Sequence, residues 1–204
     1  MIPDRVVVLT DRRMSRRPLV ETVSAAVEGG ARCVVLREKD MAPDERATLA
    51  AALRAVLADV DGQLIVAGPD PLGGSAVHLA AAGPYPPPDL PLVGRSCHDE
   101  AELSRLSREH YAMVSPVFPT PSKPGYGPPL RLDGLARLAA RSPVPVLALG
   151  GVTPENAGGC LAAGAAGVAV MGAVMRADDP AGVFRQLRGA ALSVKTAAGR
   201  GGVW

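Results

Sequence analysis

Eight short runs rich in Val, Ile and Leu, most of them separated by stretches with helical spacing, predict an α/β chain closed as a (β/α)8 TIM barrel. A length of 204 residues with 48% hydrophobic content provides the core for one such domain. No glycine-rich turn follows the first run, where a doubly wound open sheet, the alternative architecture, would place one.

The strand runs fall at Val6-Thr10, Cys33-Arg37, Gln63-Ala67, Ala76-Leu79, Leu92-Arg95, Tyr111-Ser115, Val144-Leu149 and Gly167-Met171. Helices are predicted at Leu19-Glu28, Asp44-Leu57, Asp99-Arg108, Leu130-Ala140, Pro154-Ala163 and Pro180-Ala190, several opened by an Asp, Thr or Pro suited to a first helical turn. Prolines and glycines between strands three and four, and again from Gly83 to Pro88 after strand four, shorten the helices expected there or replace them by loops. The domain is expected over residues 1–192, followed by a flexible, glycine-rich tail over 193–204.

A net charge of +2, with acids and bases interspersed, excludes a general nucleic-acid binder and leaves small anionic ligands as partners. No run is long and apolar enough for a membrane span or a signal peptide, so a cytoplasmic location is expected. Cys33, Cys97 and Cys160 are odd in number, widely spaced and set among apolar residues, which reads as reduced structural thiols.

Barrel chemistry belongs at the C-terminal ends of the strands. After strand six, the run Pro116 to Gly125 carries four prolines, with Thr120, Ser122 and Lys123 offering two hydroxyls and a cation, a set suited to phosphate or diphosphate. After strand two, alternation aims Arg37 and Lys39 the same way, where two cations can hold a diphosphate. Gly150 and Gly151 after strand seven, and Met171-Gly172 after strand eight, allow backbone N–H groups to approach an anion. His78 ends strand four and reads as either a proton shuttle or a satisfied structural histidine; His98 is equally open, and His110 precedes a strand at the opposite end.

Taken together, Val8-Leu9-Thr10-Asp11, Leu36-Arg37-Glu38-Lys39-Asp40, Gly94-Arg95-Ser96-Cys97-His98, Pro116 to Lys123, Gly150 to Asn156 and Gly164 to Met171 make the chain resemble the thiamine phosphate synthases and their relatives, the thiazole tautomerases. The resemblance implies an enzyme of thiamine biosynthesis that joins an aminopyrimidine methyl diphosphate to a thiazole phosphate, with Mg²⁺ assisting departure of the diphosphate. It implies that Arg37, Lys39, Ser96, Thr120, Ser122 and Lys123 serve the diphosphate and pyrimidine, and that Gly151 and Met171-Gly172 cradle the thiazole phosphate. The expected catalytic set is therefore Arg37, Lys39, Lys123 and His78; the chain's partner is a small phosphorylated substrate, with a homodimer left open.

The chain also departs from that pattern. Ala67 and Gly68 stand where the synthases carry Asn-Asp, Gly83 stands where a second aspartate follows strand four, and Val35 replaces a glutamine. Mg²⁺ requires hard oxygen ligands, so no metal ligand is assigned; Asp70 and Asp89 are the carboxylates that the altered loops retain. A tautomerase is the alternative, with His78 or Glu38 as proton carriers, although its catalytic histidine would fall at Pro116. A noncatalytic thiazole-phosphate-binding protein is the other alternative.

Overall fold

In a computed structural model of the chain, which describes residues 3–120 and 128–193, eight parallel strands close into a barrel. They are β1 (Val6–Leu9), β2 (Cys33–Leu36), β3 (Gln63–Ala67), β4 (Ala76–Leu79), β5 (Leu92–Cys97), β6 (Tyr111–Val114), β7 (Val146–Leu149) and β8 (Gly167–Val170). Each strand pairs with its sequence neighbours, and β1 closes the ring on β8 with Val7 opposite Ala169.

Side-chain alternation divides the strands into two faces. Val7, Leu9, Cys33, Val35, Ile65, Ala67, Tyr111, Met113, Leu147 and Ala169 form an inner cluster, whereas Val6, Val8, Val34, Leu36, Ala112, Val114, Ala148 and Val168 belong to the core beneath the helices. Gly94 has a defined packing role, because a Cβ there would fall inside the ring of Tyr111. The absent side chain makes room for the largest group in the barrel interior.

The outer ring consists of α1 (Leu19–Glu28), α2 (Pro43–Ala58), α3 (Glu100–Ser104), α4 (Arg131–Arg141), α5 (Pro154–Ala162), α6 (Gly172–Met175) and α7 (Pro180–Ser193). Buried positions recur three or four residues apart, as in Leu19, Thr22, Val23 and Ala26 of α1 or Phe184, Leu187 and Ala191 of α7, and set which helix face meets the sheet. Pro43 opens α2 and is followed by Asp44 and Glu45, placing acids beside the unpaired N–H groups of the first turn.

The helix expected over Asp99-Arg108 is shorter. Asp99 caps it by accepting from the Glu102 N–H at 2.8 Å, but the chain leaves helical form after Ser104. Glu109 supplies the cause: its carboxylate accepts the N–H groups of Ser107 and Arg108, drawing that backbone into a turn. Strand β7 also starts two residues later than Val144, at Val146.

Among the described residues no helix occurs between β3 and β4 or between β4 and β5. On that side Leu90 packs on Val77, Leu79 and Val93, so the loop itself covers the sheet. Arg95 holds it there. Buried on the outer face of β5, Arg95 donates to the Ala80 and Pro84 carbonyls at 2.9 and 2.8 Å and to Glu109 at 2.6 Å. The ring of Tyr85 lies over its guanidinium at 3.9 Å.

Of the tail expected over 193–204, Ser193 ends α7 and the remainder lies outside the described residues. No described helix is long and apolar enough to cross a membrane. Cys33, Cys97 and Cys160 are all buried free thiols; burial raises Cys97 to about 12 and Cys160 to about 11, so both remain protonated at neutral pH.

Candidate active site

The C-terminal ends of the strands surround a cavity of about 320 Å³. Arg37 and Lys39 contribute from the loop after β2, His78 and Ser96 from β4 and β5, Thr120 from the loop after β6, Gly150 and Gly151 after β7, and Met171 after β8. Gly172 lies just beyond, beside Arg176, whose guanidinium folds over it. Ser122 and Lys123 lie outside the described residues.

The alternation expected after β2 is physically enforced. Glu38 turns away from the cavity and is buried, accepting from the Arg12 N–H at 3.1 Å and from Arg12 Nη1 at 3.0 Å. Asp40 is held by Arg12 at 2.6 Å and Arg13 at 2.7 Å, and the bond from Arg12 keeps its carboxyl well below the usual range. With Glu38 and Asp40 anchored, Arg37 and Lys39 face the opening. Arg37 lies against Met171 Sδ at 2.7 Å, with Asp11 at 3.9 Å. Lys39, at the rim, makes no ion pair among the described residues, and burial followed by the charges of Arg37 and Arg46 lowers its ammonium below the ordinary value of 10.5.

His78 sits inside the barrel, stacked on Tyr111 with ring centroids 5.7 Å apart. Its Nδ1 is 3.3 Å from the Tyr111 hydroxyl and its Nε2 is 2.9 Å from Ser96 Oγ. Burial, reinforced by Lys39, Arg95 and Arg37, lowers its pKa to about 3, so the ring is neutral at physiological pH. Burial also raises Tyr111, which stays a phenol. The arrangement that satisfies most donors has the Tyr111 O–H donating to Nδ1 and the Nε2–H donating to Ser96. Ser96 then has its own hydroxyl proton available for a ligand in the cavity.

Opposite this chain of bonds, Gly150 and Gly151 adopt φ of +96° and +64°. A Cβ at Gly151 would approach the Pro119 carbonyl oxygen to 2.5 Å, and one at Gly150 would meet Pro116 Cα at 2.8 Å. Glycine is needed both for the conformation and for contact with the loop after β6. Asn156 secures the turn by donating to the Gly151 carbonyl and accepting the Thr153 N–H, each at 2.9 Å.

The sequence matches the thiamine monophosphate synthase family over residues 6–174. The chain belongs to that family. It is 33% identical over 197 residues to a thiamine-phosphate synthase of Moorella thermoacetica, covering 91% of this chain and 94% of the relative. It is 35% identical over 191 residues to a putative thiamine-phosphate synthase of Geobacter sulfurreducens, covering 84% and 87%. A solved thiamine phosphate pyrophosphorylase from Pyrococcus furiosus superposes with a TM-score of 0.79 at 27% identity, covering 93% of this chain and 96% of that one. The family assignment makes this chain a transferase of thiamine biosynthesis.

Family members are generally Mg²⁺-dependent. Among the described residues, Asp11, after β1, is the carboxylate that lines this cavity, 3.9 Å from Arg37, and the ends of β3 and β4 add none. At the ends of β3 and β4 the cavity is lined by Ala67, Ala80 and Ala81, which offer no side-chain oxygen. Asp70 and Asp89 are exposed and do not line the cavity; Asp70 accepts from the Leu72 N–H at 2.8 Å. No group of three His, Cys, Asp or Glu residues positioned for a metal occurs among the described residues.

Sequence reasoning passed over one feature of this site and one beside it. Tyr111 reads as a strand aromatic, and its partner His78 is 33 positions away. Arg46, in the first turn of α2, reads as a solvent-facing helix position, yet it donates from Nη2 to the Ala67 carbonyl at 2.7 Å.

Proposed function

We propose that this chain joins an aminopyrimidine methyl diphosphate to a thiazole phosphate, releasing thiamine phosphate and pyrophosphate. The observation that carries this reading is a single cavity with Arg37 and Lys39 on one side and the Gly150-Gly151 turn with Met171 on another, giving two anion-binding elements for two phosphorylated substrates.

In the reaction, the bond between the pyrimidine methylene carbon and the diphosphate oxygen breaks, and its electron pair leaves with the diphosphate. The lone pair of the thiazole nitrogen forms the new C–N bond, leaving the positive charge on the thiazolium ring. No proton transfer or redox partner is required. Arg37 and Lys39 would offset the charge developing on the departing diphosphate, with Thr120 in reach of the same anion. Ser96, oriented by the neutral His78, would donate to the pyrimidine. The Gly151 turn, with Met171 beside it, would position the thiazole phosphate so that its ring nitrogen faces the methylene carbon.

The same geometry favours transfer over tautomerisation. A tautomerase needs an acid and a base beside the thiazole, yet Glu38 is tied to Arg12 and both ring nitrogens of His78 are engaged, by Tyr111 and Ser96. Incubation with both substrates, with thiamine phosphate followed by oxidation to fluorescent thiochrome, tests the proposal. Product is expected at a rate proportional to enzyme; none at high enzyme concentration, with or without Mg²⁺, would reject the synthase reading.

A further inference from the structure

From Arg37 and Lys39, after β2, to Ser96 on β5, the cavity wall passes the ends of β3 and β4, where Ala67, Ala80 and Ala81 line it. Their side chains are methyl groups, and their main-chain carbonyls are already engaged. The Ala67 carbonyl accepts from Arg46 Nη2 at 2.7 Å, that of Ala80 from Arg95 Nη1 at 2.9 Å, and that of Ala81 from the Tyr85 hydroxyl at 3.0 Å. None of these three donors lines the cavity, so each carbonyl is held from outside it. His78, opposite Ala67 in the register of β3 and β4, has both ring nitrogens taken by Tyr111 and Ser96. Leu9, which also lines the cavity, belongs to the aliphatic cluster inside the barrel. Space adjoins this wall as well: a Cβ added at Gly68, next to Ala67, would meet nothing within 4 Å.

A ring nitrogen or amino group set against this wall loses its water and gains no partner, whereas a hydrocarbon group gains by leaving water. With the cations of β2 beside it, the wall fits an ester that is anionic at one end and apolar at the other. We propose that Ala67, Ala80 and Ala81 form a hydrocarbon subsite, through which the cavity admits allylic or arylmethyl diphosphates as donors besides the aminopyrimidine, whose polar edge is met by Ser96. The donor is allylic or arylmethyl because the carbon that loses the diphosphate carries positive charge, which an adjacent π system spreads. The inference rests on the synthase reading for its reaction, but the subsite can be tested without turnover. In the step itself the C–O bond breaks and its electron pair leaves with the diphosphate. The lone pair of the thiazole nitrogen then forms the C–N bond, giving an N-allyl or N-arylmethyl thiazolium phosphate and pyrophosphate, with no proton transfer or redox change.

The test uses the full chain and, first, methyl, n-propyl and n-pentyl diphosphate, saturated esters that bind without ionising. Calorimetry at fixed Mg²⁺ is expected to show affinity rising about fourfold for each added methylene. Ala81→Asn and, separately, Ala80→Asn set an amide in the wall without touching the buried core, and each should cut that gain to below about twofold per methylene, whatever its affinity for inorganic pyrophosphate. A substitution that merely loosened the fold would lower the melting temperature and leave the gain per methylene as it was. Second, dimethylallyl diphosphate with thiazole phosphate should yield the N-allyl thiazolium phosphate, read by mass spectrometry. Equal affinity along the ester series, or a gain per methylene unchanged in both variants, overturns the proposal. Product from the aminopyrimidine donor but none from dimethylallyl diphosphate overturns it while leaving the synthase reading intact. A gain per methylene that both variants reduce, with no product from either donor, supports the subsite and rejects the synthase reading alone.

Discussion

Replacing His78 by Gln removes an imidazole that the fold keeps neutral while leaving an amide able to reach Ser96. The folded pKa is about 3 against an ordinary value of 6.5, so below the latter the unfolded chain binds a proton that the folded chain refuses. Native stability therefore rises with pH across this window and is lost progressively as pH falls from 6.5 towards 3. At a pH of about 5 the penalty amounts to about 2 kcal/mol, some 1.4 kcal/mol for each pH unit below the ordinary value. Urea unfolding of native and H78Q chains near neutrality and near pH 5 isolates this term, because every other titrating group is common to both. The native chain should lose about 2 kcal/mol more than H78Q over that interval. Equal losses would show that His78 takes up a proton in the folded barrel and would refute both the neutral ring and the hydrogen-bond direction assigned to Ser96.

Arg95→Met should cost about 3 to 5 kcal/mol in unfolding free energy, since it strands Glu109 in a buried site and frees the loop after β4; an effect below about 1 kcal/mol would contradict the anchoring role. Gly151→Val places a branched side chain at positive φ against Pro119 and should weaken thiazole phosphate binding by about tenfold or more in calorimetry, while unchanged affinity would separate that turn from the phosphate. Because the folded Lys39 ammonium titrates below 10.5, pyrophosphate affinity should fall as pH rises through that lowered value, and Lys39→Gln should abolish the alkaline decline. A decline unchanged in K39Q would assign it to another group.

The barrel was legible because each strand is a short aliphatic run bounded by turn residues, and burial on both faces leaves little freedom in where such a run ends. Strand boundaries consequently fall within two residues of those read from sequence. The end of α3 was not legible, since it depends on a carboxylate, Glu109, recruiting two N–H groups against the local helical pattern. At the site, Arg37 and Lys39 followed from alternation alone, and the paired glycines from the backbone freedom they provide. Arg46 did not follow. A helix pattern assigns an arginine to solvent, and only the packing of α2 against β3 brings the Ala67 carbonyl within its reach. The chain from Tyr111 through His78 to Ser96 joins three different strands, so no local window contains it.

The way Arg95 secures the loop after β4 has a consequence for sequence variation. Its loop acceptors at Ala80 and Pro84 are main-chain carbonyls, which exist whatever side chains those positions carry. Where a packed helix would demand a conserved apolar stripe, this wall demands only a backbone path, with Leu90 as its apolar plug and Tyr85 stacked on the guanidinium. The rest of the loop is thereby released from the core, including Ala81, which borders the cavity. This segment of the rim can change composition, and with it the shape offered to a substrate, without renegotiating the stability of the barrel.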